Sequence, residues 1–258
     1  MTAQPAIVLA TLNAKYIHAS LGLRYVLAHR GALWHHTTLR EFTIARPVGE
    51  IVDELLAALC TASGARTVQI VGFGVYSGNV VQPTAVVRAL KAARPDVRIV
   101  LGGPEVSHEI ETQEIVGLAD HVIAGWGDVS FPKLCRALID GRHPPGFIAG
   151  EQPPLAEIVM PYDEYSDADL AHRLLYVESS RGCPFKCEFC LSALDKTAWS
   201  FDLDRFLAEM QRLYERGARN FKFVDRTFNL KVDDSARILQ FFLDRLAEEG
   251  SAGSLFVH

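Results

Sequence analysis

The sequence has few of the features that mark secreted, membrane-spanning or nucleic-acid-binding proteins. No basic residue precedes the first apolar run, at residues 6–10, so the chain does not begin with the pattern of a secretory signal. Residues 67–87 carry no formal charge, but three glycines and a proline interrupt them, which excludes a membrane-spanning helix. The 26 Lys and Arg residues are outnumbered by 31 Asp and Glu residues, which argues against general nucleic-acid binding. We therefore expect a cytoplasmic protein with no membrane partner.

Cysteine is scarce, and its distribution excludes a disulfide framework. Of the five cysteines, Cys60 and Cys135 are isolated, whereas Cys183, Cys187 and Cys190 fall within eight residues. A domain held together by disulfides has an even number of cysteines spread along its chain. The cluster instead predicts a site of metal chemistry.

Hydropathy patterning predicts an α/β fold for the first 140 residues. Apolar runs rich in β-branched residues alternate with segments of helical period, as in parallel sheets whose strands are joined by crossover helices. The predicted strands are residues 7–11, 37–43, 67–76, 98–102 and 121–124. Helical stripes between them include Ile51, Leu55, Leu56 and Leu59, and also Val86, Val87, Leu90 and Ala93. We expect a doubly wound parallel sheet that binds its ligand beyond the carboxyl ends of the strands.

A second α/β region follows a proline-rich stretch. Residues 141–161 contain five prolines and no sustained periodicity, which predicts a linker. Beyond it the pattern predicts strands at residues 174–178 and 221–224, a helix with Asp202 as N-cap, a helix ending at Gly250 and an apolar run at residues 255–258. The predicted divisions are a first domain at residues 1–141, a linker at 142–170 and the start of a barrel at 171–258. These elements are too few to close a barrel, so we expect a fragment of a longer protein.

The three clustered cysteines have the spacing C-x-x-x-C-x-x-C. Three thiolates on one short loop can converge on a single metal centre. A structural zinc site takes four protein ligands, and no fourth Cys or suitably spaced His follows, whereas an iron-sulfur cluster held by three thiolates leaves one iron open. The alternatives are a zinc site that borrows a distant ligand and cysteines that ligate nothing.

This loop resembles the signature of the radical S-adenosylmethionine (radical SAM) enzymes, and the aromatic Phe189 directly before the last cysteine fits that family. The resemblance implies that Cys183, Cys187 and Cys190 hold a 4Fe-4S cluster whose free iron chelates S-adenosylmethionine. It also implies that reductive cleavage of S-adenosylmethionine gives a 5′-deoxyadenosyl radical, which abstracts hydrogen from the substrate. The family's partial (β/α) barrel is the fold expected after the linker.

Asp225 and Arg226 close the predicted strand at residues 221–224, where the glycine-rich stretch of the radical SAM family is not matched. The sequence Val-Asp-Arg-Thr-Phe-Asn that stands there is similar to the form in the cobalamin-associated branch. Functional groups gather at the carboxyl ends of strands in a parallel barrel. The resemblance therefore implies that Asp225 and Arg226, together with Phe189, contact S-adenosylmethionine. The alternative is that the two charged residues cap the strand and pair with a neighbour.

Two loops of the first domain carry a second resemblance. The segments that follow the fourth and fifth predicted strands read Gly-Gly-Pro-Glu and Gly-Trp-Gly-Asp, and they resemble loops of the Rossmann-like cobalamin-binding domain of the largest radical SAM subfamily. A corrin ring is bulky and flat, and glycine lets the backbone approach it closely. The resemblance implies cobalamin contacts from Thr11, Ser77, Asn79, Gly102, Gly103, Gly125, Gly127 and Asp128.

The first domain also departs from common cofactor patterns. The Asp-x-His-x-x-Gly pattern by which many cobalamin domains coordinate cobalt is absent, so we expect no cobalt ligand from that motif. A dinucleotide site is the competing interpretation of Gly72, Gly74 and Gly78. Their spacing is G-x-G-x-x-x-G and not G-x-G-x-x-G, so this signal is weak.

Taken together, the resemblances imply an enzyme that uses a 4Fe-4S cluster, S-adenosylmethionine and cobalamin. They imply an electron donor such as flavodoxin or ferredoxin, and a substrate, small or macromolecular, that the residues do not reveal. Methyl transfer from cobalamin is the first hypothesis, and a non-methylating oxidoreductase or cyclase is the second. The third is a binding module in which the first domain holds cobalamin or a nucleotide and the cysteines form an inert metal site.

Overall fold

The structure is a computed structural model that describes residues 5–60, 68–76, 78–190, 197–249 and 254–258. It divides into two units. Unit 1 contains Met1–Tyr16 and Ser20–Gln152, and unit 2 contains Ile17–Ala19 and Pro153–His258. Each unit is built around a parallel sheet, and each sheet carries one group of predicted site residues at the ends of its strands.

The sheet of unit 1 is parallel throughout and has the strand order β2-β1-β3-β4-β5-β6. Its strands are β1 (Ala6–Asn13), β2 (Thr37–Thr43), β3 (Gln69–Gly74), β4 (Arg98–Gly102), β5 (His121–Ala124) and β6 (Phe147–Ala149). The second, fourth and fifth strands have the bounds that the sequence predicts. The predicted α/β class with a doubly wound parallel sheet is therefore confirmed.

Helices cover both faces of this sheet, because the buried residues of each strand alternate between two cores. The helices are α1 (Leu21–Ala28), α2 (Val48–Leu59), α3 (Val81–Ala93), α4 (Glu114–Leu118) and α5 (Ser130–Ile139). On β1, Val8 and Leu12 pack into a core that includes residues of α2 and α3, such as Leu55. Leu9 of the same strand packs into the core that includes residues of α1 and α5.

Unit 1 extends beyond the boundary predicted at residue 141. In the segment predicted as a linker, β6 pairs in parallel with β5, where Val122 aligns with Phe147 and Ala124 with Ala149. The Gly150 amide then donates to the Ala124 carbonyl over 2.7 Å. Hydropathy did not reveal this strand because it has only three residues and lies between prolines, too short a run to show an alternating pattern.

Unit 2 has a smaller parallel sheet with the strand order β11-β10-β7 and a separate two-stranded sheet, β8-β9. The helices and strands of unit 2, in chain order, are α6 (Asp167–His172), β7 (Leu175–Val177), β8 (Ser180–Gly182), β9 (Ala198–Ser200), α7 (Leu203–Glu215), β10 (Asn220–Phe223), α8 (Val232–Glu249) and β11 (Phe256–Val257). The predicted strands at 174–178 and 221–224 correspond to β7 and β10. Asp202 is the N-cap of α7, as predicted, and its side chain accepts from the Arg205 amide over 2.8 Å.

Short 3-10 helices also occur in the described residues, at Gly31–His36, Pro104–Val106, Ile110–Thr112, Leu155–Glu157 and Tyr162–Glu164. The predicted end of α8 at Gly250 lies outside the described residues. None of the helices that the structure describes combines the length and the apolar character needed to cross a membrane.

Gly150, which follows β6, lies against the backbone of the loop after β5. A Cβ at this position would lie 2.2 Å from the Trp126 carbonyl oxygen, a backbone atom that cannot swing aside. We expect Gly150→Ala to lower the free energy of unfolding by about 2–3 kcal/mol, as overpacking does in a filled interior. Denaturant unfolding followed by circular dichroism measures the change.

Gly146→Ala is the matched control, because a Cβ there would lie 3.6 Å from the Asp120 carbonyl oxygen, an ordinary contact. Its effect should stay within about 1 kcal/mol. Equal effects of the two substitutions would contradict the docking of β6 on the sheet.

Candidate functional site

The carboxyl ends of the parallel strands bring the predicted cobalamin residues to one edge of unit 1. In the strand order β2-β1-β3, the chain passes from β1 to β2 on one side and then crosses back to β3 on the other side, so the direction of the connections reverses at β1. In open α/β sheets a crevice forms at such a switch point, beyond the strand ends. The loops that follow β1, β3, β4 and β5 all lie at this edge, which we call the cofactor edge.

Two of the predicted contacts, Thr11 and Asn79, are bound to the protein's own backbone. The Thr11 hydroxyl is fully buried and donates to the Gly74 carbonyl over 2.8 Å. The Asn79 side chain accepts from the Tyr76 amide (2.9 Å) and donates to the Leu12 carbonyl (2.6 Å). Both side chains therefore tie β1 to β3 and its following loop. Ser77, the third predicted contact on this side, lies outside the described residues.

Gly103 is required by the fold itself. Its φ is +109°, and a Cβ would lie 2.4 Å from the Val75 carbonyl oxygen. The loop is held there because the Val75 amide donates to the Gly102 carbonyl over 2.8 Å. The close approach that selects glycine here is to the loop after β3. At Gly102 a Cβ would make only an ordinary contact, 3.8 Å from the Ile123 carbonyl oxygen.

The loop after β5 leaves more space at its glycines. Gly125 has a φ of +84°, and a Cβ there would meet no atom of the described structure within 4 Å. At Gly127 a Cβ would touch, among the described residues, only the Val26 side chain, at 3.4 Å. Asp128, which follows, is buried. The backbone at Gly125 is thus open to the approach of a flat ligand. This agrees with the expectation that glycine at a corrin site lets the backbone come close to the ring.

Ser107 is a site residue that the sequence did not reveal. Its hydroxyl donates to the Gly103 carbonyl over 2.8 Å and accepts from the Gly125 amide over 2.9 Å. One side chain therefore fixes the two glycine loops relative to each other. The only signal in the sequence was its place four residues after Gly103, and serine is common in loops for many reasons.

The sequence also did not predict a buried polar network around Glu41. The Glu41 carboxylate accepts from the Ser20 amide (2.6 Å), from the Asn13 side chain (3.1 Å) and from Arg24, with which it forms a buried ion pair at 2.8 Å. The Tyr76 hydroxyl lies 2.8 Å from the Ser20 hydroxyl, and burial raises the pKa of Tyr76. This network holds the start of α1 against the ends of β2 and β3.

In unit 2, an antiparallel pair of strands closes the base of the cysteine loop. Ser180 aligns with Ser200 and Gly182 with Ala198, so β8 and β9 hold the two ends of the loop together. Gly182 has a φ of +85°, and a Cβ there would lie 1.9 Å from the Thr197 carbonyl oxygen. The Cys183 amide donates to that same oxygen over 2.9 Å.

None of the three cysteines is in a disulfide, and their exposure is unequal. Cys187 is exposed, whereas Cys183 and Cys190 are half-buried. The Cys183 sulfur lies 3.3 Å from the Thr227 hydroxyl, and the Cys190 amide donates to the Cys187 carbonyl over 3.0 Å. Within the described part of the chain, no three Cys, His, Asp or Glu side chains are arranged to hold a metal ion. The donor set is chemically that of an iron-sulfur site, but the thiols are not gathered around one point.

The expected S-adenosylmethionine contacts have different environments. Phe189 is 95% exposed, and Arg226 is exposed at the end of β10. Asp225 is half-buried and accepts from the Ser179 amide (3.1 Å), the Ser179 hydroxyl (2.7 Å) and the Ser180 hydroxyl (2.6 Å). Burial raises the pKa of Asp225, and these hydrogen bonds partly offset the rise. Asp225 thus pairs with a neighbouring segment, which is the alternative that the sequence left open.

Asp225 therefore joins the end of β10 to the segment that leads into Cys183. The next residues of that segment are fixed as well, because Arg181 forms an ion pair with Glu178 at 2.7 Å. The Tyr162 hydroxyl lies 3.2 Å from both the Glu178 carbonyl oxygen and the Glu178 nitrogen. Burial raises the pKa of Tyr162, so its hydroxyl stays protonated.

The sequence is similar to one protein family and to two named methyltransferases. The family of B12 binding domains matches residues 7–135, which is half of the chain. An uncharacterized methyltransferase of Pyrococcus horikoshii is 30% identical over 229 residues, covering 76% of this chain and 50% of that protein. An uncharacterized methyltransferase of a Synechocystis species is 30% identical over 158 residues, covering 60% of this chain and 29% of that protein. The chain thus spans half, or less, of the length of these relatives.

Solved structures share the fold over almost the whole chain. The radical S-adenosylmethionine methyltransferase TsrM from Kitasatospora setae matches with a TM-score of 0.65 and 17% identity, over 94% of this chain and 52% of that one. The cobalamin-dependent S-adenosylmethionine radical enzyme OxsB matches with a TM-score of 0.67 and 14% identity, over 98% of this chain and 38% of that one. The similarity confirms the expected fold, a cobalamin-domain sheet followed by part of a radical SAM barrel.

The two hydrogen bonds of the Ser107 hydroxyl should stabilise the loops of the cofactor edge. Ser107→Ala removes an acceptor from the Gly125 amide and a donor from the Gly103 carbonyl. We expect the free energy of unfolding to fall by about 1 kcal/mol and the Gly125 amide to exchange several-fold faster. Thr112→Ala is the control, since the exposed Thr112 hydroxyl only donates to the Glu109 carbonyl. Unchanged exchange at Gly125 in the Ser107 variant would contradict the bridge.

The hydrogen bonds that Asp225 accepts should hold the segment that leads into the cysteine loop. Asp225→Asn removes the charge that accepts from Ser179 and Ser180, and hydrogen bonds to a charged group contribute about 1.5–3 kcal/mol. We expect the Ser179 amide to exchange roughly tenfold to a hundredfold faster, as measured by hydrogen exchange with mass spectrometry. Asp233→Asn, at an exposed position in α8, should leave this exchange unchanged. The same acceleration in both variants would show that Asp225 does not hold the segment.

Proposed function

Because the chain belongs to the B12-binding domain family, we propose that it is the cofactor-binding portion of a cobalamin-dependent radical SAM enzyme. One observation carries the proposal: a B12-binding sheet and a loop of three cysteines with C-x-x-x-C-x-x-C spacing, none of them in a disulfide, occur on the same chain. The shared fold with two such enzymes supports it.

The cluster would be held by Cys183, Cys187 and Cys190. No disulfide blocks these thiols, and the β8–β9 pair fixes both ends of the loop that carries them. When bound, a 4Fe-4S cluster with one open iron supplies the electron for reductive cleavage of S-adenosylmethionine. The chain's own contribution is to place the loop, through Asp225 and the Arg181–Glu178 ion pair, and to present Phe189 and Arg226 beside it for contact with S-adenosylmethionine.

Cobalamin would bind at the cofactor edge of unit 1. The open backbone at Gly125 and Gly127 suits the approach of the corrin ring, and the buried Asp128 follows directly. Gly102, Gly103 and Ser107 fix the neighbouring loop, whereas Thr11 and Asn79 act by holding β1 and β3 in register. We assign these five residues to positioning, since their polar groups bind the protein itself.

Methyl transfer is the proposed reaction class. Both curated relatives are named methyltransferases, and TsrM is described as one. The substrate is not assigned by any of these similarities. An electron donor such as flavodoxin or ferredoxin and a cytoplasmic location remain predictions.

Metal analysis of the reconstituted chain tests the proposal. The chain is incubated without oxygen with iron, sulfide and cobalamin, desalted, and analysed for iron, cobalt and zinc. We expect about four iron atoms and about one cobalt atom per chain. Cys187→Ala should lose most of the iron and keep the cobalt, because the thiolates bind the cluster and the sheet of unit 1 binds cobalamin.

Cys60→Ala is the matched control, since Cys60 is an exposed thiol of unit 1 outside the loop, and it should keep both metals. Zinc at about one per chain, with neither iron nor cobalt, would overturn the proposal in favour of a structural metal site. In the intact protein, formation of S-adenosylhomocysteine together with 5′-deoxyadenosine is expected for methyl transfer, and 5′-deoxyadenosine alone would contradict that reaction class.

A further inference from the structure

The two faces of the small sheet in unit 2 differ in chemistry. Phe221 and Phe223 of β10 pack against Phe242 of α8, with ring centroids 5.1 and 6.0 Å apart, so these side chains face the helices. Side chains alternate along a strand, and Lys222 therefore projects from the opposite face. Tyr176 of β7 aligns with Lys222 in the parallel register and projects from that face as well.

Lys222 is a half-buried cation with no ion-pair partner among the residues that the structure describes. Within the described ranges, no carboxylate lies within 4.0 Å of its ammonium group, which instead sits 5.8 Å from the centre of the Tyr176 ring. Glu178, two residues after Tyr176, forms an ion pair with Arg181 at 2.7 Å. Taking a charge partly out of water costs free energy unless a counter-charge offsets the loss.

Tyr176 is held in a fixed position beside Lys222. Its hydroxyl lies 2.7 Å from Nδ1 of His18, and the two rings are nearly parallel, 6.1 Å apart. Its carbonyl accepts from the Tyr165 hydroxyl over 2.7 Å. Arg173 in turn donates to the His18 carbonyl over 3.0 Å. These contacts hold the Tyr176 ring at its hydroxyl and at its backbone, so the ring has a fixed position beside Lys222.

Lys222 lies on the strand that leads to Asp225. It precedes Asp225 by three residues, about 10 Å along an extended strand, and Asp225 holds the segment that leads to Cys183. In parallel α/β barrels, groups that react with a substrate gather at this end of the strands. A ligand held by Lys222 would therefore extend toward the loop that carries the thiols.

We propose that Lys222 binds an anionic group of the substrate, a carboxylate or a phosphate, with the Tyr176 ring as the wall of that subsite. The inference rests on the proposed function, because it takes the cysteine loop as the place where the substrate reacts. It assigns Lys222 to substrate specificity and Tyr176, with His18 behind it, to positioning.

Competitive labelling of lysines tests this subsite without any turnover. The chain is acetylated briefly with an N-hydroxysuccinimide ester in sodium phosphate, in sodium acetate or in sodium chloride at equal ionic strength, and each lysine is quantified by peptide mass spectrometry. An anion that occupies nine tenths of the subsite should slow acetylation of Lys222 about tenfold relative to chloride. Lys133, whose side chain is 59% exposed in unit 1, should react equally in all three salts.

Each outcome decides the proposal. Protection by phosphate alone indicates a phosphorylated substrate, and protection by acetate indicates a carboxylate, so both results support an anion subsite. No protection beyond chloride overturns it. Protection by S-adenosylmethionine at a far lower concentration than acetate also overturns it, since Lys222 would then bind the carboxylate of the cosubstrate.

Variants separate this inference from the proposed function. Lys222→Met should reconstitute with the same iron and cobalt as the parent chain, because Lys222 is assigned to substrate alone. Tyr176→Phe keeps the ring and removes the bond to His18, and we expect the protection of Lys222 by phosphate or acetate to weaken several-fold. Failure of the chain to take up cobalt and iron would count against the proposed function, whereas the labelling result on the parent chain still decides the subsite.

Discussion

Both units depend on one constraint: parallel strands place all their carboxyl ends at the same edge of a sheet. In unit 1 this brings together loops that are more than 100 residues apart in the chain, such as those that follow β1 and β5. In unit 2 it places the segment after β7 beside the end of β10, where Asp225 binds it. The positions of the candidate site residues follow from this geometry, and their individual hydrogen bonds refine it.

The glycines of the two site regions show how backbone contact supports that geometry. Gly103 and Gly182 both have positive φ, and a Cβ at either would overlap a carbonyl oxygen of a neighbouring segment. These residues were selected by packing of the chain against itself. Gly125, by contrast, has space around it, and its neighbourhood suits a ligand. A glycine in a predicted cofactor loop is therefore informative only once its surroundings are known.

The sequence predicted the features that arise from periodicity and from strong local signals. Strands β2, β4 and β5 have their predicted bounds, and Asp202 caps α7 as expected. The features it did not reveal are those that form by pairing between distant residues. The strand β6 and the pair β8–β9 have three residues each, too few for a pattern, and Ser107 and Glu41 acquire their roles only when the loops meet.

The two cofactor regions differ in how far the protein has organised them in advance. At the cofactor edge of unit 1, backbone hydrogen bonds and the Ser107 bridge already fix the loops. In the cysteine loop, the ends are fixed by β8–β9 and by Asp225, whereas Cys187 and Phe189 are exposed and the thiols are not gathered. Holding a residue in a single conformation costs about 1–2 kcal/mol, and a loop whose two ends are already fixed would need fewer such changes to gather its thiols around a cluster. Fixed ends keep that cost small.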